Sequence, residues 1–486
     1  MNHRASLRRS CDACAKSKHS CDLRTPQCSR CIKRKVRCVY ANQPLTSSSS
    51  SSSSFTARTP RQVTKLALKH DASLVPVSSR RGGSILPENF VELSKPVDPS
   101  FDPFDSYPPT RLPRAHVQEL IHHFLSSIAF QYYPLDMNMG SNPFVVSWWP
   151  LALADPALFH VSLQTASLDK ELRAQKGFPI SDMLMMDSVS LVRKRIGDSS
   201  LAIQDETMNS VVTLAAIEFG KGNFDASSMH IAGVKRMVSI RGGIDQVKTT
   251  SPLTARMVSW VSMIVMGAPQ FLTQDDMGFG DGVGPILQWK MASMDPNLLK
   301  QIPNEIDMDP EMSSIVAHLQ AIFHQNELPP PSSTEMHDLT CFVVHKLLLL
   351  PPSSSPEPSR VATYECLRHA LVLYMLIVHG TTYYSHATLT NCILTQLKQH
   401  LETLTKTEYL HSDLHIWLLS IGMASSTGFP QAQWFFDQAC VAALALRLRE
   451  WKQVRGRLEH ILWISVPQGD AIPRRWEEIW RMLKES

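Results

Sequence analysis

Six of the ten cysteines in this 486-residue chain crowd into one short stretch: Cys11, Cys14, Cys21, Cys28, Cys31 and Cys38. The spacing is C-x2-C-x6-C-x6-C-x2-C-x6-C, one unit of C-x2-C-x6-C written twice. A C-x2-C pair sets two thiolates on one turn, where they can grip a single ion. Zinc takes four ligands in a tetrahedron, with sulfur at about 2.3 Å. Six sulfurs overfill one such site. They complete two sites only if two sulfurs bridge, and the internal repeat suggests one bridging sulfur per half. A single zinc on the two C-x2-C pairs is the plainer alternative, although the thirteen residues between those pairs fall short of the usual interval of about 15–20. A disulfide module is a third reading. It suits a secreted context, and no apolar stretch follows the N-terminal arginines as a secretory signal would require.

Charge is distributed as unevenly as sulfur. The whole chain carries +4, but residues 1–40 carry +9 and the remainder −5. A basic head on a mildly acidic body suggests a nucleic-acid-binding arm joined to a globular part. With 43% hydrophobic and 19% charged residues, most of the chain can bury a core. No uninterrupted apolar run approaches the roughly 18 residues that span a bilayer. The longest, Ala370 to Val378, has nine, so no membrane partner is expected.

Residues 11–38 resemble the fungal binuclear zinc cluster, the six-cysteine DNA-binding domain of fungal transcription regulators. The spacing match is complete, Asp12 and Asp22 follow the first and third cysteines, and Pro26 precedes Cys28. The resemblance implies two zinc ions and makes Cys11 and Cys28 the bridging ligands. One ion would take Cys11, Cys14, Cys21 and Cys28, the other Cys28, Cys31, Cys38 and Cys11. It also implies a nuclear protein that regulates RNA polymerase II genes, with double-stranded DNA and co-regulators as partners. Relatives of this layout often control clustered metabolic pathways, including secondary metabolism.

Each C-x2-C is expected to open a short helix. Lys16 and Lys18 then fall on the first, with His19 following. Arg30, Lys33, Arg34 and Lys35 fall on the second, with Arg37 beside Cys38. Basic groups near phosphate give affinity, and a side chain presented to base edges gives sequence choice. By resemblance the end of the first helix meets a CGG triplet, and Lys18 holds the matching position. The first helix is less basic than is usual in the family, with Ala15, Ser17 and Ser20 at commonly basic places. The run Lys33-Arg34-Lys35-Val36-Arg37 also suits nuclear import.

Residues 41–112 read as a disordered linker, with an unbroken serine run from Ser47 to Ser54. Val63, Leu66 and Leu74 do not sustain the heptads of a coiled coil, so either a homodimer forms through the later domain or the protein binds as a monomer. The strip Val97 to Tyr107 interleaves Asp, Pro, Phe and Tyr. It reads as an extended segment docked on the body, with an activation segment as the alternative.

Residues 113–486 carry helical periodicity. Val117, Leu120, Ile121, Phe124, Leu125 and Ile128 form one stripe, and Met208, Val211, Val212, Ala215 and Phe219 another. Gly220-Lys221-Gly222-Asn223 breaks the chain before a second helix that ends at Gly242-Gly243, which predicts an αα-hairpin. Trp476, Ile479, Trp480 and Leu483 mark a final amphipathic helix. The expected class is all-α: a zinc cluster at 1–40, the linker, and a helical regulatory domain at 113–486. The stretch His230 to Gly243 resembles a signature of the second type of fungal-specific transcription factor domain: H-x-x-G, an apolar helix, then R-G-G. Gly233 is expected to let helices approach, Arg241 to suit a helix C-terminus, and His230 to be packed.

Enzyme signals are lacking. Gly278, Gly280, Gly282 and Gly284 do not make G-x-G-x-x-G and read as a flexible loop. There is no Walker loop, H-E-x-x-H or G-x-S-x-G. His411 and His415 could share a metal but show no further ligand, and Cys341, Cys366, Cys392 and Cys440 read as buried thiols. A DNA-binding regulator is the reading; a scaffold with a non-specific basic cluster, or a helical enzyme with a DNA-binding appendage, are the rivals.

Overall fold

The computed structural model describes residues 12–17, 29–36, 107–295, 309–324, 329–353, 355–380, 382–383, 386–404, 412–464 and 471–485. The chain divides into two units, Met1–Ser94 and Lys95–Ser486. Among its described residues the first holds two short helices, α1 (Asp12–Lys16) and α2 (Ser29–Arg34), in mutual contact.

Among the described residues the second unit is built mainly of helices. Its first part contains α3 (Arg114–His123), α4 (Ala129–Tyr132), α5 (Trp149–Ala154), α6 (Pro156–Ala174), α7 (Pro179–Ile196), α8 (Asp205–Gly220), α9 (Phe224–Ile240), α10 (Ile244–Thr250) and α11 (Pro252–Met266). Beyond these come α12 (Leu287–Ser293), α13 (Pro310–His324), α14 (Ser333–Leu349), α15 (Pro358–His379) and α16 (Ala387–Leu404). The chain closes with α17 (Asp413–Ser425), α18 (Ala432–Ala445), α19 (Trp451–Ile461) and α20 (Ala471–Glu485). Among the described residues the one β feature is an isolated bridge between Thr273 and Val283. The fold class is all-α, as the periodicity predicts.

One hydrophobic core runs from Leu112 to Ile479. Sequence-adjacent helices pair along it, α6 with α7, α8 with α9 and α15 with α16. Helix α15 has the length and apolarity of a membrane span, yet most of its surface is buried by neighbouring helices. Helix α17 is buried without interruption from Leu414 to Met423. A helix apolar on all sides belongs at the centre of a large core. Buried tryptophans still need an acceptor for the indole N–H. Trp417 Nε1 donates to Leu462 O at 2.7 Å, and Trp476 Nε1 to Ser420 Oγ at 3.0 Å.

The first apolar stripe is buried as expected at Val117, Leu120, Ile121, Phe124 and Ile128, with Leu125 half-buried. Its helix is not uniform, however: Phe124–Ile128 is a π-helical turn between α3 and α4. A second π-turn, Phe144–Trp148, precedes α5. Such turns rotate the face that follows, which a fixed period cannot anticipate. The α8–α9 hairpin has the predicted break. Gly222 takes φ +78°, and Asn223 caps α9 by accepting a hydrogen bond from Ala226 N at 3.4 Å.

Gly233 corrects an expectation: a Cβ there would meet nothing within 4 Å, so no close helix approach depends on it. The close approach is at Gly422 on α17, where a Cβ would collide with the Phe435 ring on α18. The alternating glycines also differ from expectation, because their loop is built rather than loose. Val283 N donates to Leu272 O at 2.8 Å and Gln274 N to Val283 O at 3.0 Å. The buried Gln274 donates through Nε2 to Gly280 O at 3.1 Å. The four later cysteines are thiols, all buried except the half-buried Cys392, as expected.

Some polar groups inside the body form close pairs. Arg256 on α11 makes a two-armed contact with Asp338 on α14, at 2.8 and 3.0 Å. Burial alone would raise the Asp338 carboxyl, but Arg256 and Lys248 hold it below its usual range. Next to it, His337 Nδ1 and His379 Nε2 are hydrogen-bonded at 2.8 Å, and His379 stacks on Trp260 at 4.5 Å. Burial pushes His337 and His345 down from 6.5 to about 4, and His379 well below its ordinary value.

Two predictions follow from this packing. Gly422→Ala should cost about 1–3 kcal/mol through overpacking against Phe435, read as a lower urea midpoint; an unchanged midpoint would remove the steric argument. Imidazoles whose pKa falls on folding bind more protons in the unfolded chain, so stability rises with pH between the two values. The body should therefore lose stability as pH drops from 6.5 toward about 4, and His337→Asn should flatten that slope. A urea midpoint equal at about pH 7 and about pH 5 would contradict it.

Candidate nucleic-acid interface

Among the described residues of the first unit, Cys14 and Cys31 are the buried ones, at 2% and 1% exposure. They occupy equivalent places in the two copies of the cysteine repeat. Cys14 lies on α1 and Cys31 on α2, and each helix begins one residue after the first cysteine of its C-x2-C. The apolar side chains present face outward instead: Ile32 is 58% exposed and Val36 44%. An interior of sulfur with aliphatic groups on the surface is what a metal-organised unit requires. Two buried thiols on contacting helices therefore fit the two-zinc expectation. Cys11, Cys21, Cys28 and Cys38 lie outside the described residues.

The ends of both helices are satisfied locally. At α1, Ser17 donates through Oγ to Ala13 O at 2.8 Å, and its N–H bonds the same carbonyl at 3.2 Å. Ser17, a departure from the usual basic pattern, thus closes the helix. At α2, Val36 N donates to Cys31 O at 3.1 Å and Lys35 N to Ile32 O at 3.2 Å. This paired closure normally uses glycine in the left-handed position. Here Lys35 adopts φ +50°, at a cost of about 1–2 kcal/mol. The expectation that Lys35 lies on the second helix is thereby corrected: the helix stops at Arg34 and Lys35 forms its closing turn.

Lys16, Arg30, Lys33, Arg34 and Lys35 are all exposed. Four cations on two helices, and a fifth in the turn that closes α2, form a surface suited to phosphate. Lys18, His19 and Arg37 lie outside the described residues.

In the second unit the stretch His230 to Gly243 has a structural role. Arg241 pairs with Asp205 at the start of α8 and donates to Thr250 Oγ1 at 2.6 Å, at the end of α10. Ser251, which caps α11, also donates to Asp205. One guanidinium thus ties three helix termini, a role beyond the predicted helix-end charge. Gly243 takes φ +104°, and a Cβ there would strike Asp281. His230 is half-buried, and burial lowers its pKa, as a packed histidine requires. His415 is buried on α17, while His411 lies outside the described residues. From the Val97–Tyr107 strip, Tyr107 stacks on Phe159 at 5.6 Å, and Arg111 just beyond pairs with Asp187 at 2.8 Å. The rest of that strip lies outside the described residues. Sequence reasoning missed the Asp205–Arg241–Thr250 tie and the His337–His379 pair, because their members are far apart in sequence.

Comparison with known proteins agrees with this geometry. Residues 9–47 match the fungal Zn(2)-Cys(6) binuclear cluster domain, and residues 119–270 match the fungal specific transcription factor domain. No curated protein and no solved structure matches the chain. The second match ends just beyond α11, yet α12–α20 share the same core. The chain is a DNA-binding transcription regulator, and its N-terminal cluster binds two zinc ions. It carries the fungal binuclear cluster followed by the fungal transcription factor domain, which mark a regulator rather than an enzyme.

Replacing Cys14 or Cys31 by serine should lower bound zinc per chain and abolish duplex binding, read by atomic absorption and gel shift. Wild-type affinity in either variant would contradict a sulfur-organised interface.

Proposed function

We propose that the chain reads CGG-type half-sites through the cluster, with all six cysteines, Cys11, Cys14, Cys21, Cys28, Cys31 and Cys38, holding the two zinc ions. The zinc ions supply the fold of the unit and hold the thiolates deprotonated. The residues of the chain do the reading. Lys16, Arg30, Lys33, Arg34 and Lys35 face phosphate, with His19 and Arg37 adding contacts. Lys18 donates to guanine O6 and N7 in the major groove. The observation that carries this reading is the exposure of five basic side chains around two buried cysteines.

The protein acts in the nucleus on RNA polymerase II genes, with the run from Lys33 to Arg37 also serving import. Residues 1–40 form the reader, 41–112 the linker, whose end from Tyr107 to Leu112 docks on the body, and 113–486 the regulatory body, which contacts co-regulators and supports any homodimer. Its place is a pathway-specific regulator of a metabolic or secondary-metabolite gene cluster.

Random-duplex selection with the zinc-loaded chain, beside Lys18→Ala, tests this. Wild type should enrich a CGG-containing motif, and the variant should lose about 1–3 kcal/mol of discrimination at the guanines while keeping its zinc. Equal preference in both proteins would defeat the assignment of Lys18. Salt-sensitive binding without enrichment would defeat the half-site reading and favour a non-specific scaffold.

A further inference from the structure

Away from the cysteine cluster, α15 and α16 bring together a carboxylate and two imidazoles. Glu365 and His369 stand one turn apart on α15, and His400 comes from α16. One ligating atom from each lies within 4.8 Å of the others. Glu365 and His369 are buried at 5% and 4% exposure, whereas His400 is half-buried and opens the group to solvent. The His369 and His400 rings lie nearly parallel, 5.9 Å apart. The Glu365 backbone and the Gln396 side chain lie against the His369 ring, whose Nδ1 sits 3.9 Å from Glu365 Oε2. That oxygen touches Arg368 Nη2 at 2.5 Å, an ion pair without hydrogen-bond alignment.

A buried carboxylate and imidazole are costly unless their lone pairs are engaged. A cation among Glu365, His369 and His400 would engage one lone pair from each. We propose that Glu365, His369 and His400 form a third zinc site, separate from the two ions of the cysteine cluster, which pins α16 to α15. Two imidazoles and one carboxylate are an established ligand set for zinc, with water in the remaining position. Tetrahedral zinc with bonds of about 2.0 Å sets its ligand atoms about 3.3 Å apart. The group therefore closes by on the order of 1 Å on binding, a movement that the half-exposed His400 can supply. Arg368 remains useful in the bound state. A carboxylate oxygen has a lone pair for each partner, and a second-shell cation orients the ligand while offsetting its charge. Its Nη1 is already anchored to Leu350 O at 3.1 Å.

The test counts zinc per chain in the full-length protein after equilibration with zinc and gel filtration, using plasma mass spectrometry. Wild type should hold one equivalent more than His400→Ala and one more than Glu365→Gln. Added zinc should raise the Tm of the body in wild type and leave it unmoved in His400→Ala, whose change at a half-exposed position spares the core. The paired variant Cys14→Ser/Cys31→Ser should lose cluster zinc but keep the extra equivalent, so failure of the cluster reading is distinguishable from failure of this one. Equal zinc content in wild type and His400→Ala would overturn the proposal. So would an extra equivalent that disappears with the two cysteines.

Discussion

A unit of about thirty residues cannot bury enough apolar surface to offset its chain entropy, so something other than a hydrophobic core must hold it. In the N-terminal unit that role falls to sulfur. Cys14 and Cys31 are inside, while Ile32 and Val36 point outward. Metal binding then becomes folding free energy, and each C-x2-C fixes where a helix starts. Because cysteines are the buried positions, Lys16 and the residues from Arg30 to Val36 other than Cys31 are released to the surface. Lys16, Arg30, Lys33, Arg34 and Lys35 occupy that surface, and the DNA-binding role depends on this division of labour.

The helical body solves its packing by ordinary means and with polar ties at a few junctions. Arg241 links the termini of α8, α10 and α11, and Arg256 with Asp338 links α11 to α14. These ties hold the part matched by the fungal transcription factor domain, and the same core extends through α12–α20. The distinctive residues of the R-G-G stretch are thus spent on architecture. Arg241 gathers helix ends, and Gly243 permits a positive φ beside Asp281.

Local pattern was legible in the sequence wherever the controlling interaction is local. The repeat of Cys11 to Cys38 announced a metal unit with two helices, and Gly220 to Asn223 announced the break before α9. The stripe from Val117 to Ile128 marked buried positions, but not the π-turn at Phe124–Ile128, which inserts a residue into the ladder without changing which side chains are apolar. Gly233 misled because a helical glycine carries no sign of whether a neighbour stands over it; the crowded one is Gly422. Lys35 was placed on α2 because a left-handed closing turn is expected of glycine, and lysine gave no warning. The pairs Arg241–Asp205 and His337–His379 and the Glu365–His369–His400 group join distant positions, so only tertiary structure exposes them.

The most direct test of a metal-made reader is amide hydrogen exchange on the full chain, with and without a zinc chelator. The account predicts that α1 and α2 lose their protection when zinc is removed, while α6, α8 and α11 exchange at unchanged rates. Protection that survives in α1 and α2 without zinc would mean that the chain itself holds them, and would contradict a unit folded around sulfur and metal.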